Sequence, residues 1–212
     1  MSGMLNHYKK WALSALLLLV VTTSAYSAPK TLLVLGDSLS AEYGLTRGTG
    51  WVALLEQRLK TEHLELQVVN ASISGETTSG GLTRLPALLN QFHPAYVVIE
   101  LGANDGLRGL PVKEADANLK RMVALARAAK SKVLLVGIRI PPNYGRDYTE
   151  HFFAMYPALA QELKLPLVPF MLEGVAEKAE MFQPDRLHPV AEAHPIILAN
   201  IWPQLQALLK PR

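Results

Sequence analysis

Residues 31–40, TLLVLGDSLS, place a short apolar run directly before a glycine and a polar turn. Four more segments share this continuous apolar character: LQVVN at 66–70, YVVIE at 96–100, KVLLVG at 132–137 and LPLVP at 165–169. Continuous rather than alternating apolarity is typical of strands that are covered on both faces. Five such strands separated by helices predict an α/β fold built on a parallel, doubly wound sheet.

Helical spacing is visible between and after these strands. The apolar residues that share a helical face are Trp51, Leu54, Leu55 and Leu59 in one segment, and Ala115, Leu119, Met122, Val123 and Ala126 in another. A third helix is expected over residues 196–209, with a bend where Pro203 interrupts it.

Composition excludes several classes of protein. The chain has 212 residues, of which 50% are hydrophobic and 18% charged, so one ordinary folded domain is expected rather than a disordered chain. The 21 Lys and Arg residues exceed the 18 Asp and Glu residues by three. No clustered basic face is visible, so no nucleic-acid partner is expected. The absence of cysteine excludes disulfides, thiolate-bound zinc and a cysteine nucleophile.

The N-terminal segment has the three parts of a secretory signal. Lys9 and Lys10 precede an apolar run at residues 11–21, and small residues follow up to Ala28. Eleven residues make about 16 Å of helix, which is well short of the ~30 Å bilayer core. We therefore expect residues 1–27 to be a cleaved signal peptide and residues 28–212 to be one domain. The mature protein would be periplasmic or secreted, without a stable membrane span.

Four polar segments stand where strands are predicted to end, or near the C-terminus. They are GDSLS at 36–40, ASISGET at 71–77, GANDG at 102–106 and DRLHP at 185–189. Ligands bind beyond the carboxyl ends of the strands in such a sheet. A serine nucleophile needs a base, and that base needs a carboxylate to orient it, which predicts Ser38, His188 and Asp185 in these roles. Gly75 and Asn104 are candidate donors to an oxyanion, with the backbone N–H of Ser38 at the start of a helix as a third.

Each of these residues also has a purely structural interpretation. Ser38 and Asp185 are common helix-capping residues, and Gly75 suits a turn with positive φ. Asp105 is expected to orient its own loop. His194 is the rival base, but no carboxylate precedes it by three residues. No group of residues has the spacing of a metal site, and no cofactor is expected.

Together, the four segments resemble the blocks of the SGNH (GDSL-type) hydrolases, and most closely those of a bacterial periplasmic thioesterase, lysophospholipase and arylesterase group. The resemblance implies a flavodoxin-like, three-layer α/β/α sandwich that hydrolyses oxyesters and thioesters without a metal. By the same resemblance, Ser38, Asp185 and His188 match the catalytic triad, and Gly75 and Asn104 match the oxyanion donors. The sequence departs from the family at Ala103, where relatives often carry glycine, and at Glu42, which is expected to place a charge near the pocket mouth.

The substrate is less sharply indicated. Apolar residues after the third and fourth strands could line an acyl groove, or could simply pack two long loops: Leu107, Leu110, Ile140, Pro141, Pro142 and Tyr144. Residues 139–147 could also act as a movable lid. The leading hypothesis is an exported hydrolase of small-molecule acyl substrates such as aryl esters, acyl-CoA and lysophospholipids. The alternatives are a carbohydrate acetylesterase of the same fold and, ranked last, a non-catalytic lipid carrier.

Overall fold

The computed structural model describes residues 29–210, and the signal peptide predicted at 1–27 lies outside them. Five parallel strands form one sheet in the order β2-β1-β3-β4-β5. They are β1 Lys30–Gly36, β2 Leu66–Asn70, β3 Tyr96–Glu100, β4 Lys132–Val136 and β5 Leu167–Val168. This is the flavodoxin-like strand order, in which the ligand crevice lies between β1 and β3. The predicted parallel sheet is confirmed.

Helices cover both faces of this sheet. They are α1 Trp51–Thr61, α2 Thr78–Phe92, α3 Ala103–Leu107, α4 Val112–Ala128, α5 Arg146–Leu163 and α6 His194–Leu209. α1 packs against α6, whereas α2 and α5 both pack against α4. These two groups form the outer layers of the predicted α/β/α sandwich.

The apolar runs are buried as their pattern requires. Leu32, Leu33, Val34 and Leu35 of β1 are each 0% exposed, and every residue of β3 is buried. The five apolar residues predicted to share one face of the second helix are all buried in α4. A single cluster of buried side chains therefore extends through both faces of the sheet.

The sequence did not predict the short helix α3 or the longer helices α2 and α5, and α6 continues past its predicted interruption. α2 and α5 contain Pro86 and Pro157, which weaken the helical signal of their sequences. α6 begins at His194 and continues across Pro203, because the buried side chains of Ile201, Trp202 and Leu205 hold both of its halves against the core. Within residues 29–210, no helix combines the length and apolarity needed to cross a membrane.

Candidate active site

Ser38 lies directly beyond the carboxyl end of β1. Residues 38–44 form successive turns rather than the helix start that was expected, so that prediction is wrong. The carbonyl of Asp37 accepts hydrogen bonds from the N–H groups of Ser40 and Ala41, and its Oδ1 accepts one from Leu39 N at 3.0 Å. The N–H of Ser38 itself has no acceptor in the described part of the chain. Asp37 thus organises the turn that presents Ser38.

Asp185, His188 and Ser38 form one continuous chain of hydrogen bonds. Asp185 Oδ1 accepts from the backbone N–H groups of Leu187 (2.9 Å) and His188 (3.0 Å), which closes a tight turn. The turn brings Asp185 Oδ2 within 2.6 Å of His188 Nδ1, and His188 Nε2 lies 2.9 Å from Ser38 Oγ. The structure therefore brings together the three side chains that the sequence singled out as a triad.

The Asp185 carboxylate is stabilised in its charged form. Its partial burial raises the pKa, but hydrogen bonds from the backbone of His188 and Leu187 and from the His188 ring outweigh burial and lower the pKa to about 2. The group is thus an anion at neutral pH. An anion beside Nδ1 keeps the proton on that nitrogen, so that Nε2 faces Ser38 as an acceptor.

Sequence reasoning missed two residues that support His188. The ring of Tyr43 lies with its centroid 4.3 Å from that of His188. Gln183 Nε2 donates to the carbonyls of Tyr43 (2.9 Å) and Pro189 (3.0 Å), and Gln183 N donates to the carbonyl of His188 (2.8 Å). Gln183 therefore ties the turn after β1 to the loop that carries His188.

Gly75 lies in the loop that follows β2, and Asn104 is the second residue of α3, the short helix that follows β3. Gly75 has a φ of 81°, which a residue with a Cβ rarely adopts, so the expected turn role is present. Its carbonyl accepts from Arg108 at 2.9 Å, and its N–H has no acceptor among residues 29–210. Asn104 Nδ2 donates to Glu76 O at 3.0 Å and to Asp37 Oδ2 at 3.2 Å.

Asp105, in α3, joins that short helix to the beginning of α2. Its buried carboxylate accepts from the backbone N–H of Thr78 at 2.8 Å and from the Thr78 hydroxyl at 2.6 Å. Because Thr78 follows the segment containing Gly75, these bonds fix that segment relative to α3. Asp105 thus has a structural role, but it connects α3 to α2 rather than orienting a loop of its own.

Glu42 does not lie at the pocket mouth, contrary to expectation. Its carboxylate turns back onto its own loop and accepts from the N–H groups of Gly48 (3.0 Å) and Gly50 (2.7 Å). Gly50 is the residue directly before α1, so Glu42 satisfies backbone donors at the beginning of that helix. Ala103, the other departure from the family, is the first residue of α3 and borders the cleft.

A cleft of about 720 Å³ opens beside Ser38 and His188. Of the residues predicted to line an acyl groove, Leu107, Ile140, Pro141 and Pro142 border it. The prediction is wrong for Leu110 and Tyr144, which are more than one third exposed and lie outside its lining. The carbonyl of Leu110 is instead held by the Tyr148 hydroxyl at 2.7 Å, and Tyr144 ends a 3-10 turn, Pro142–Tyr144.

The opposite wall of the cleft was not anticipated. It comes from the long segment between β5 and His188 and includes Phe170, Leu172, Ala176, Ala179, Phe182 and Leu187. The signal that could have identified it is topological, because this segment begins at the carboxyl end of β5. Arg139 also borders the cleft, with its guanidinium stacked 3.8 Å from the ring centroid of Phe153.

An α/β/α sandwich that aligns a hydroxyl, an imidazole and a carboxylate at the carboxyl edge of its sheet has the architecture of an acyl-transferring hydrolase. Comparison with known proteins identifies the family. Residues 34–196 match the GDSL-like Lipase/Acylhydrolase family, and the chain belongs to it. The predicted family and the predicted class of enzyme, an ester hydrolase, are confirmed.

Two curated relatives align with nearly the whole chain. Esterase TesA of Pseudomonas aeruginosa is 53% identical over 93% of this chain and 98% of its own length. The thioesterase 1/protease 1/lysophospholipase L1 of Escherichia coli K12 is 45% identical over 96% of each chain. The crystal structure of the esterase EstA from Pseudoalteromonas sp., inhibited by monoethylphosphonate, superimposes with a TM-score of 0.81 at 43% identity, over 85% of this chain and 98% of its own.

His194, the rival base, lies outside the hydrogen-bonded chain. It is 2% exposed, and its Nδ1 accepts from the backbone N–H of Trp51 at 3.0 Å. Burial lowers the pKa of His194 to about 4, although the nearby carboxylate of Glu42 opposes the shift. His194 thus serves as a neutral acceptor for the first N–H of α1.

We predict that His194 makes the folded state less stable in acid. Between pH 6.5 and 4 the unfolded chain binds a proton at this residue that the folded chain excludes, so stability falls as pH decreases, by up to about 3 kcal/mol. His194→Asn keeps an acceptor without a titrating ring. Its free energy of unfolding, measured in urea, should therefore fall less than that of the wild type between pH 7 and 4.5.

The variant must be compared with the wild type because Asp37 changes the free energy of unfolding with pH in the opposite direction to His194. Burial raises the pKa of Asp37 to about 6, so its contribution to stability is lost as pH rises from about 4 to 6. This contribution is common to both proteins and cancels in the difference. Identical pH dependence for wild type and His194→Asn would contradict the assignment.

Proposed function

We propose that this chain is an exported serine hydrolase that cleaves acyl esters and thioesters with Ser38 as nucleophile, His188 as base and Asp185 as the orienting carboxylate. The observation that carries the proposal is the pair of short contacts at the two nitrogens of His188, 2.6 Å to Asp185 Oδ2 and 2.9 Å to Ser38 Oγ. A base within hydrogen-bond reach of a hydroxyl, itself oriented by a carboxylate, is the arrangement that makes serine nucleophilic.

In the acylation step, Ser38 Oγ attacks the carbonyl carbon of the substrate while its proton passes to His188 Nε2. The imidazolium that forms is stabilised by the Asp185 carboxylate on its other side. It then protonates the leaving alcohol or thiol, and an acyl-enzyme remains. Water, deprotonated by the same nitrogen, releases the acid and restores Ser38.

The negative charge on the former carbonyl oxygen requires preorganised donors. The N–H groups of Ser38 and Gly75 have no protein acceptor within residues 29–210, which supports their assignment as two of these donors. Asn104 is the third. Both hydrogens of its amide are engaged, with Glu76 O and Asp37 Oδ2, so one of these bonds must be exchanged for the oxyanion.

The size and the apolar lining of the cleft favour substrates with an acyl chain longer than acetyl. Its volume of about 720 Å³ is that of a pocket for a drug-sized ligand, and apolar side chains from three loops border it. The relatives are named as an esterase and as a thioesterase and lysophospholipase. We infer that this chain takes the same classes of substrate, with the acyl chain lying between Leu107, Ile140 and Leu172.

Replacing Ser38 by alanine should lower kcat for p-nitrophenyl ester hydrolysis by at least about 10⁴-fold, because the bond-forming atom is removed. The matched control is Ser79→Ala, which deletes an exposed hydroxyl on α2 and should leave kcat unchanged. The measurement is steady-state hydrolysis of esters from C2 to C16. A folded Ser38→Ala protein with substantial turnover would show that another group is the nucleophile.

Replacing Ala176 by phenylalanine should shorten the preferred acyl chain. The new ring would fill part of the cleft, and excluding even two methylene groups removes about 1.6 kcal/mol, more than tenfold in kcat/KM. We expect loss of activity on C12–C16 esters with C2 hydrolysis retained within about threefold. Ala128→Phe, on the exposed side of α4, should leave the profile unchanged. A wild type confined to C2 would favour a carbohydrate acetylesterase.

Export is supported by the charged, apolar and small-residue parts of residues 1–28. Expression of the full chain in a Gram-negative host should release an active periplasmic protein whose first residue is Ala28, because Ala25 and Ser27 then occupy the two positions that the signal peptidase reads. N-terminal sequencing of the periplasmic fraction makes the measurement. Active enzyme that retains residues 1–27 in the cytoplasm would refute cleavage.

A further inference from the structure

Glu100 is a buried carboxyl group directly behind the turn that carries Ser38, and the reaction above assigns it no task. It is the last residue of β3 and is 1% exposed. Its Oε2 accepts from the hydroxyl of Ser40 at 2.7 Å and from the backbone N–H of Asp37 at 3.4 Å. Trp51 Nε1 donates to the same Ser40 hydroxyl at 3.1 Å. One side-chain oxygen therefore holds both Asp37, directly before Ser38, and Ser40, two residues after it.

We propose that Glu100 is a positioning residue, which sets the place of Ser38 Oγ relative to His188 by accepting hydrogen bonds from Asp37 and Ser40. The inference rests on the proposed function, because it concerns the alignment of the proposed nucleophile with its base. Glu100 itself lies behind the turn and is absent from the lining of the cleft.

The absence of a side chain at Gly36 leaves space for the carboxyl group of Glu100. Gly36 pairs with Glu100 across β1 and β3, and a Cβ at Gly36 would lie 2.7 Å from Glu100 Oε2 and 2.8 Å from Ser40 Oγ. A Cβ at these distances would overlap both oxygen atoms, so the turn would have to move outward. The glycine before Asp37 and Ser38 thus leaves room for Glu100 to reach the turn from β3.

The role requires an acceptor oxygen and no charge. Burial raises the pKa of Glu100 well above its usual range, and the nearby Asp37 carboxylate raises it further. No Lys, Arg or His forms an ion pair with Glu100 in the described part of the chain. A neutral carboxyl group and a glutamine amide each offer one carbonyl oxygen in the same place, so glutamine should serve as well.

Loss of this acceptor should affect the chemical step and spare substrate binding. The bond between Ser38 Oγ and His188 Nε2 joins two separate loops, and displacement of a reacting group by 1 Å can cost about 10²-fold in rate. The acyl chain contacts other loops, which Glu100 does not touch. The expected signature is a lower kcat at an unchanged KM.

The test compares Glu100→Gln and Glu100→Leu in the full mature protein with p-nitrophenyl butyrate. We expect Glu100→Leu to lower kcat at least about tenfold with KM within twofold of the wild type, whereas Glu100→Gln keeps kcat within about threefold. The rate at which an activated monoethylphosphonate ester inactivates the enzyme should fall in parallel, since it measures the reactivity of Ser38 directly. Near-UV circular dichroism establishes that each variant is folded.

Ser40→Ala keeps the proposal testable if Glu100→Leu does not fold. It deletes one of the two donors and should lower kcat at least threefold at constant KM. The matched control is Ser131→Ala, which removes another buried hydroxyl, bonded to Pro94 O at 2.6 Å before β4, and should leave kcat unchanged.

The outcomes separate this inference from the proposed function. Wild-type kcat in folded Ser40→Ala and Glu100→Leu would overturn the positioning role. A Glu100→Gln variant as impaired as Glu100→Leu would also overturn it, because charge rather than an acceptor would then be required. Activity in Ser38→Ala would instead refute the proposed nucleophile.

Discussion

The contact between Ser38 Oγ and His188 Nε2 joins residues 150 positions apart in the chain, and much of the structure serves to hold it. Ser38 is placed by a central strand of a parallel sheet, whose carboxyl edge is where loops can meet. His188 is placed by a local turn around Asp185. Gln183 links these two segments, because it donates hydrogen bonds to the carbonyl of Tyr43 in one and to the carbonyls of His188 and Pro189 in the other. The contact between Ser38 and His188 is thus fixed by backbone geometry rather than by the two side chains alone.

Three titratable side chains near this edge of the sheet are buried, although such groups are usually exposed to water. Asp37 and Glu100 are buried carboxyl groups beside each other, and burial raises the pKa of both. His194 is a buried imidazole kept neutral as an acceptor. The charged form of each group is costly to bury, and each accepts a hydrogen bond from a backbone N–H: Asp37 from Leu39, Glu100 from Asp37, and His194 from Trp51. These hydrogen bonds fix the backbone on both sides of Ser38 and at the beginning of α1.

The sequence predicted the sheet and the positions of the polar segments because both depend on local patterns. Runs such as those at 31–35 and 96–100 are too continuously apolar for an exposed strand, and Ser38, Asn104 and His188 follow from loop chemistry at strand ends. The helix α5 was missed because Pro157 disrupts its period, and the wall formed by Phe170 and Leu172 was missed because packing of a long loop has no local signature. Leu110 and Tyr144 were misplaced for the same reason. Glu42 turned inward because two unsatisfied N–H groups lie within reach of its carboxylate.

Under the proposed function, chemistry and specificity are carried by different parts of this fold. The turn after β1 and the loop that ends at His188 hold Ser38 and His188, whereas the walls of the cleft come chiefly from the segments after β3, β4 and β5. The contacts that Ser40 and Glu100 make with the turn lie behind it, outside the lining of the cleft, whereas Asp37 also contacts Asn104 of that lining. Because Ser40 and Glu100 do not border the cleft, we expect side chains of its walls to change size without moving Ser38 relative to His188. Under the proposed function, one scaffold therefore accepts acyl groups of different length while the contact between Ser38 and His188 stays constant.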